Sequence, residues 1–241
     1  MIVACWSGPR NISTALMRSW SSRKDTFVTD EPFYAYYLKQ TQLKHPQYEE
    51  IINHYPSNYD EIVKYLINKI PKDKKIWYQK HMAHHMLDLN NINWVNNCEN
   101  CILIRHPKEV ISSYSKKNKL NSVEELGYPQ QYEIIKYLKK INRSYLIIDS
   151  GDLLRHPEKI LSAWCMKINI RFDKSMLKWK TGNNENDGIW WKSWYDNVIK
   201  TSGFQKYEKK DINIENKYDS IYNESMKYYS FLKEDKGCIL Y

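Results

Sequence analysis

No stretch rich in proline, glycine or serine divides the 241-residue sequence, so nothing in it indicates a linker between two domains. An apolar run of about 18 residues, the length that a membrane-spanning helix needs, is also missing. The Met1 end has neither the basic region nor the cleavage site of a leader peptide. We therefore expect one domain over residues 1–241, located in the cytoplasm and with no membrane partner.

Cysteine is scarce, and its placement gives little support for a metal or redox site. The five cysteines are Cys5, Cys98, Cys101, Cys165 and Cys238. Cys98 and Cys101 form a lone C-x-x-C, with no second pair and no histidine nearby at ligand spacing. This odd set predicts reduced thiols, and we expect no metal.

Acidic residues are outnumbered by basic ones, 28 to 37, which gives a net charge of +9. Such a balance favours an acidic ligand or partner. Much of the excess, however, lies in scattered lysines and short runs such as SKKNK and KYEKK, which are typical of solvated faces. We therefore do not expect nucleic-acid binding.

The first informative stretch is CWSGPRNISTALMRSW, residues 5–20. The apolar residues 2–6 predict a buried strand, and Ile12, Leu16 and Trp20 recur at helical spacing. A tight loop between them would present the unpaired N–H groups of a helix start, which hold anions. The candidate anion-binding residues are Gly8, Pro9, Arg10, Asn11, Ser13 and Thr14. The alternative is an ordinary strand–helix turn with Asn11 or Ser13 as its N-cap.

Further short apolar segments alternate with helical patterns along the chain. We predict strands at 26–29, 74–80, 100–105 and 144–149. Helical patterns lie at 34–43, 59–70, 108–117, 129–140 and 157–167. This alternation predicts an α/β fold with a mostly parallel central sheet flanked by helices.

Polar residues follow the predicted strands, at the sheet edge where such folds bind ligands. They include Asp30 and Glu31, Lys80 and His81, and Arg105. Arg105 and Ser113 are eight residues apart, which would let a strand-end guanidinium and a helix hydroxyl converge on one phosphate. The alternative is a solvent-facing arginine and a serine on the helix surface.

Taken together, these segments resemble the sulfotransferase family that uses 3′-phosphoadenosine 5′-phosphosulfate (PAPS). PRNIST is similar to the family's phosphosulfate-binding loop through Arg10, Ser13 and Thr14, and IRHPKEVISSY to its 3′-phosphate site through Arg105 and Ser113. DLLRHPEKILSAWCMKINIRFDKSMLKW resembles a later family segment, and SGPRNISTALM a subgroup of sulfotransferase-like proteins. The resemblance covers about residues 2–179 and implies a three-layer, P-loop-type domain.

The resemblance implies transfer of a sulfuryl group from PAPS to a hydroxyl or amine acceptor, without a metal. Arg10 would stabilise the leaving phosphate, and the general base would be Glu31 or His81, which the sequence does not decide. Arg10 stands where many members have lysine, Ile12 where they have glycine, and Ser150 where a tyrosine often contacts the adenine region. Recognition of the base is therefore not carried over at Ser150.

Two other functions and one segment stay open at this point. The loop lacks the G-x-x-x-x-G-K-[ST] pattern, which argues against a P-loop kinase or NTPase. A noncatalytic protein that only binds the nucleotide is the remaining alternative. The tryptophan-rich segment KWKTGNNENDGIWWKSWY is either an aromatic lid over the site or a part of the core packing.

Overall fold

A computed structural model describes residues 1–208 and 211–239. The described strands are β1 Ile2–Ser7, β2 Thr26–Asp30, β3 Ile76–Met82, β4 Glu99–Ile104 and β5 Tyr145–Asp149. The described α-helices are α1 Ser13–Ser21, α2 Tyr34–Thr41, α3 Tyr48–His54, α4 Tyr59–Leu66, α5 Pro107–Tyr114, α6 Tyr128–Lys140, α7 Ser150–Arg155, α8 Pro157–Lys167, α9 Trp191–Trp194 and α10 Asp219–Lys233. No helix in these two ranges is long and apolar enough to cross a membrane.

The strands form one parallel sheet in the order β2-β3-β1-β4-β5. Alternate residues of each strand face opposite sides of the sheet. Val3 and Cys5 face the side covered by α1, α7 and α8, whereas Ala4 and Trp6 face the side covered by α4, α6 and α10. Because both sides are covered, most strand residues are buried and the central ones are mainly apolar, and each fully buried Leu, Ile or Val contributes about 1.5–3 kcal/mol. The predicted three-layer α/β fold is confirmed.

The order of the strands creates a crevice at the carboxyl edge of the sheet, between β1 and β4. After β1 the chain crosses to β2 on one side, and after β4 it crosses to β5 on the other. Loops that leave neighbouring strands in opposite directions open a crevice between them, where open α/β sheets bind ligands. The loops carrying Arg10 and Arg105 both begin here.

Several predicted boundaries differ from the observed ones by one to four residues, and the ends of β3 and α4 show the reasons. β3 continues two residues past Lys80, because Met82 still pairs with Ser7 of β1. α4 ends at Leu66, the last residue of this segment that is buried in the core, and Ile67 is already exposed. The longer β3 places His81 inside a strand instead of after it.

Four of the described α-helices are not in the predicted set: α3, α7, α9 and α10. α7 is a short helix held by the Asp149 carboxylate, which accepts hydrogen bonds from the N–H groups of Gly151 and Asp152. α10 packs against α6 and α5 and contributes the buried Leu232. Its sequence, DSIYNESMKYYSFLK, is rich in tyrosine.

The tryptophan-rich segment, residues 178–195, packs over the core, and its part at 182–195 is here called the strap. Trp190 and Tyr195 are buried among side chains of α2 and α3. At its other end, Asp187 forms an ion pair of 2.5 Å with Arg18 of α1, and the side chains of both residues are almost fully buried. The strap ties α1 to α2 and α3, as the core-packing alternative predicts, and the lid alternative stays a prediction.

The buried Arg18–Asp187 pair predicts a large effect on stability. Asp187→Ala leaves the Arg18 guanidinium buried without its carboxylate, which costs about 3–5 kcal/mol of unfolding free energy. The matched control is Asp73→Ala, which removes the exposed 3.5 Å pair with Lys69 and costs less than about 1 kcal/mol. Urea unfolding of the two variants measures the difference, and equal losses would contradict the prediction.

Candidate active site

The β1–α1 loop has a strained backbone that aims it at the crevice. Arg10 and Ile12 both adopt the left-handed region, with φ of 63° and 58°. For a branched residue such as Ile12 this conformation costs about 1–3 kcal/mol and persists only where the surroundings hold it. Asn11, between them, is held by its side-chain N–H group on the Leu103 carbonyl (3.0 Å) and by the Ser150 hydroxyl on its own carbonyl (3.0 Å).

The N-terminus of α1 is open. Ile12 occupies the N-cap position, no side chain caps the helix, and its first turn holds no acidic residue. Neither Asn11 nor Ser13 therefore acts as the cap that the alternative interpretation requires. Unpaired N–H groups and the positive end of the helix dipole face the crevice beside the buried Ser13 and the half-buried Thr14.

Close packing fixes the start of the loop. A Cβ atom on Gly8 would lie 2.2 Å from the Leu126 carbonyl oxygen, so only glycine fits without moving backbone. Gly127, in the left-handed region with φ of 78°, lies on the same side of Gly8. The turn that precedes α6 thus packs directly against Gly8 of the loop. Pro9, the next residue of the loop, is half-buried.

Arg10, Arg105 and Ser113 meet in the crevice. The Nε group of Arg10 donates a 2.8 Å hydrogen bond to the Ser113 hydroxyl, and Nη1 of Arg105 donates to the Arg10 carbonyl at 2.7 Å. Burial, and next the neighbouring charge of Arg105, lower the pKa of Arg10. Two guanidinium groups therefore lie together beside an open helix N-terminus, an arrangement that favours an anion.

Glu109 holds Arg105 in place. Its carboxylate accepts a 2.6 Å hydrogen bond from Nε of Arg105 and a 2.9 Å hydrogen bond from the Tyr207 hydroxyl. The Tyr128 hydroxyl donates to the Arg105 carbonyl at 2.6 Å. We did not predict Glu109 from the sequence, although its position four residues after Arg105 indicates the pair.

A second group of charged residues lies at the ends of β2 and β3. Nζ of Lys80 contacts Asp30 at 2.8 Å, Glu31 at 2.5 Å and the Tyr195 hydroxyl at 2.9 Å. Burial raises the pKa of Glu31; the ammonium of Lys80 lowers it, and the charge of Asp30 raises it further. The pKa of Lys80 is raised well above its usual value by the two carboxylates, although burial acts against this, so it stays charged.

His81 lies on the opposite side of the sheet from this cluster. Its ring stacks on Trp6 with centroids 4.4 Å apart and contacts Phe33 and Trp94. Only 1% of the residue is exposed, and burial lowers its pKa to about 3. An imidazole that is shielded from the crevice and hard to protonate is poorly suited to act as a general base.

The structure thus brings most of the predicted site residues together. Residues 8–14 share the crevice with Arg105 and Ser113, whereas Glu31 lies beyond β3 in the acidic cluster. Lys80 and Tyr195 are functional candidates that we did not assign from the sequence. A lysine at the end of an otherwise apolar strand is the signal that could have identified Lys80.

Histidines, cysteines and carboxylates do not form a metal centre among the described residues, where no group of three or more has suitable geometry. Cys98 and Cys101 of the C-x-x-C are both buried, and Cys101 lies within β4, as predicted.

Comparison with protein families places residues 1–236 within the model of the sulfotransferase domain. Two Arabidopsis thaliana proteins are similar to the chain. Branched-chain-amino-acid aminotransferase-like protein 1 is 32% identical over 232 residues, or 96% of the chain and 41% of that protein. Protein 2 of the same name is 34% identical over 208 residues, or 86% of the chain and 37% of that protein. The chain therefore spans about two-fifths of the length of these relatives.

Among solved structures, the chain is similar in fold to the sulfotransferase domain of the Synechococcus PCC 7002 olefin synthase. The TM-score is 0.63 at 14% sequence identity, and the match covers 98% of this chain and 95% of that domain. An identity this low supports the fold alone.

The burial of His81 predicts part of the acid sensitivity of the fold. Its pKa is about 3 in the folded chain against 6.5 ordinarily, so its contribution to stability is present above pH 6.5 and lost as the pH falls toward 3. His81→Phe should reduce the dependence of the unfolding free energy on pH by about 1.4 kcal/mol per pH unit between pH 6 and 4. Urea unfolding at fixed pH measures this, with the exposed His54→Phe as control. An unchanged slope would show that His81 takes up a proton in the fold.

Proposed function

This chain belongs to the sulfotransferase-domain family, and from this membership we propose that it transfers a sulfuryl group from PAPS to a hydroxyl or amine acceptor. The proposal takes residues 1–241 as one unit and includes no metal. The name of the Arabidopsis relatives is not carried over, because the chain matches only about two-fifths of each. The cytoplasmic location expected from the sequence stays a prediction.

The observation that carries this proposal is the meeting of Arg10, Arg105 and Ser113 at the open N-terminus of α1. The loop N–H groups, with Ser13 and Thr14, would bind the 5′-phosphosulfate, and Gly8, Pro9 and Asn11 would shape the loop. Arg105 and Ser113 would bind the 3′-phosphate. Two anionic groups on one nucleotide match two adjacent cationic positions.

In the reaction that we propose, the acceptor oxygen or nitrogen forms a bond to sulfur as the bond from sulfur to the bridging oxygen breaks. 3′-Phosphoadenosine 5′-phosphate then leaves. Arg10 neutralises the charge that develops on the leaving phosphate, as cationic clamps do in phosphoryl transfer. Glu31 takes the proton of the acceptor, since its mostly buried side chain is still 12% exposed, whereas His81 is 1% exposed and lies on the other side of the sheet.

A protein that only binds the nucleotide remains the second candidate, because the anion site and the acidic cluster involve different strands. The two groups could function separately. Transfer of labelled sulfate from PAPS into a cell extract separates the candidates, because a binding protein retains the nucleotide without turnover.

The 3′-phosphate assignment predicts a nucleotide preference. The protein should bind 3′-phosphoadenosine 5′-phosphate about tenfold to a hundredfold more tightly than AMP, the effect of one charge-assisted contact of about 1.5–3 kcal/mol. Arg105→Ala should remove the preference, and Ser113→Ala should reduce it. The exposed Arg143→Ala is the matched control, and calorimetry is the measurement. Equal affinities for the two nucleotides in the unmodified protein would contradict the assignment.

The assignment of the base predicts different effects for two similar substitutions. Glu31→Gln keeps the shape of the side chain and should lower turnover by about 10² to 10⁴, with little change in nucleotide affinity. His81→Asn should have a much smaller effect on turnover. Initial rates with labelled PAPS, together with calorimetry of nucleotide binding, measure both. A large loss in His81→Asn alone would assign the base to His81.

A further inference from the structure

Asp30 and Glu31 are adjacent carboxylates with very different surroundings. Asp30 is satisfied on both oxygens: Oδ1 accepts from Lys80, and Oδ2 accepts from the Tyr195 hydroxyl at 2.6 Å and from the Gly188 N–H group at 3.0 Å. Glu31 accepts one hydrogen bond, from Lys80 to Oε1. Among the described residues, no donor reaches its Oε2. Asp30 is therefore fixed as an acceptor, and Glu31 has an oxygen left for a further proton.

The charges of this cluster do not balance. Lys80 supplies one positive charge against two carboxylates, so the cluster carries one excess negative charge away from bulk water. Uptake of a proton by Glu31 would leave a neutral Lys80–Asp30 pair. Because an unbalanced buried charge is costly, this proton uptake is favoured over the same step at an isolated exposed glutamate.

We propose that Asp30 is a positioning residue for the reaction. It accepts a hydrogen bond from the ammonium group of Lys80 and so orients this group. Glu31 is thereby the member of the cluster that takes the proton from the sulfate acceptor. This inference rests on the proposed function for the reaction and its proton donor, whereas the charge arrangement of the cluster stands without it. In the step, the proton of the acceptor O–H or N–H group binds Glu31, and the acceptor atom forms the bond to sulfur. The bond from sulfur to the bridging oxygen breaks, and its electron pair leaves with 3′-phosphoadenosine 5′-phosphate. Asp30 and Lys80 keep their charges throughout.

The other ionisable groups near the cluster leave this charge balance unchanged. Arg18 of α1 is paired with Asp187 of the strap. Burial raises the pKa values of the Tyr34 and Tyr195 phenols, so both are neutral. Burial lowers the pKa of His85 well below its usual value, so this ring is neutral too. Asp30 and Lys80 are therefore the charges that set the proton affinity of Glu31.

The test is the titration of the Glu31 carboxyl carbon by NMR on ¹³C-labelled protein, with Glu31→Gln to assign the signal. In the unmodified protein the midpoint should lie above 4.5, the ordinary value for glutamic acid. Asp30→Asn should lower it by about one pH unit, and Lys80→Met should raise it by a similar amount, because each removes one charge of opposite sign. A midpoint at or below 4.5 in the unmodified protein overturns the proposal even if neither variant folds. If the midpoints of the two variants shift in the same direction, the proposal is also overturned.

The pH dependence of turnover keeps this proposal separate from the proposed function. If the protein transfers sulfate, the acid limb of the rate profile should move down in Asp30→Asn and up in Lys80→Met, and a rate loss without these movements overturns the positioning role. If no sulfate is transferred but the NMR midpoints move in opposite directions, the charge arrangement stands and the proposed reaction fails. Both readouts use the full chain.

Discussion

Repulsion between positive charges at the start of α1 is the constraint that the surrounding contacts must offset. Two guanidinium groups and an open helix N-terminus share one crevice, and they repel one another unless an anion or a carboxylate lies between them. Glu109 offsets part of this repulsion at Arg105, and neighbouring backbone holds the strained loop through Asn11. Packing and hydrogen bonds therefore hold together a positively charged site, and a bound anion would stabilise it.

The negatively charged residues Asp30 and Glu31 lie at the end of β2, and β3 separates them from β1 and the anion site. This separation keeps the carboxylates apart from the guanidinium groups. If a carboxylate base contacted the guanidinium groups directly, they would neutralise each other. Lys80 holds the carboxylates in place, and the strap joins the two regions, since Asp187 binds Arg18 of α1 while Tyr195 binds Asp30. α1 and the cluster are thus connected through a few buried polar contacts.

Sequence reasoning predicts those features that depend on local pattern. The five strands, the parallel sheet and the loop with Arg10 follow from apolar runs and their polar ends. The partners of Asp30 could not be predicted in the same way, because Tyr195 and Gly188 lie more than 150 residues away along the chain. The left-handed conformation of Ile12 could not be predicted from the sequence either, since it depends on contacts that Asn11 makes with β4 and α7.

The ambiguity between Glu31 and His81 has a geometric origin at the end of β3. Side chains alternate across a strand, so neighbours point to opposite sides and a shift of one residue reverses the side. Lys80 pairs in register with Cys5 and faces the α1 side, whereas His81 pairs with Trp6 and faces the other. The extension of β3 to Met82 keeps this alternation strict through His81. His81 is consequently directed into the core, which supports the proposal that Glu31, beside Lys80, takes the proton.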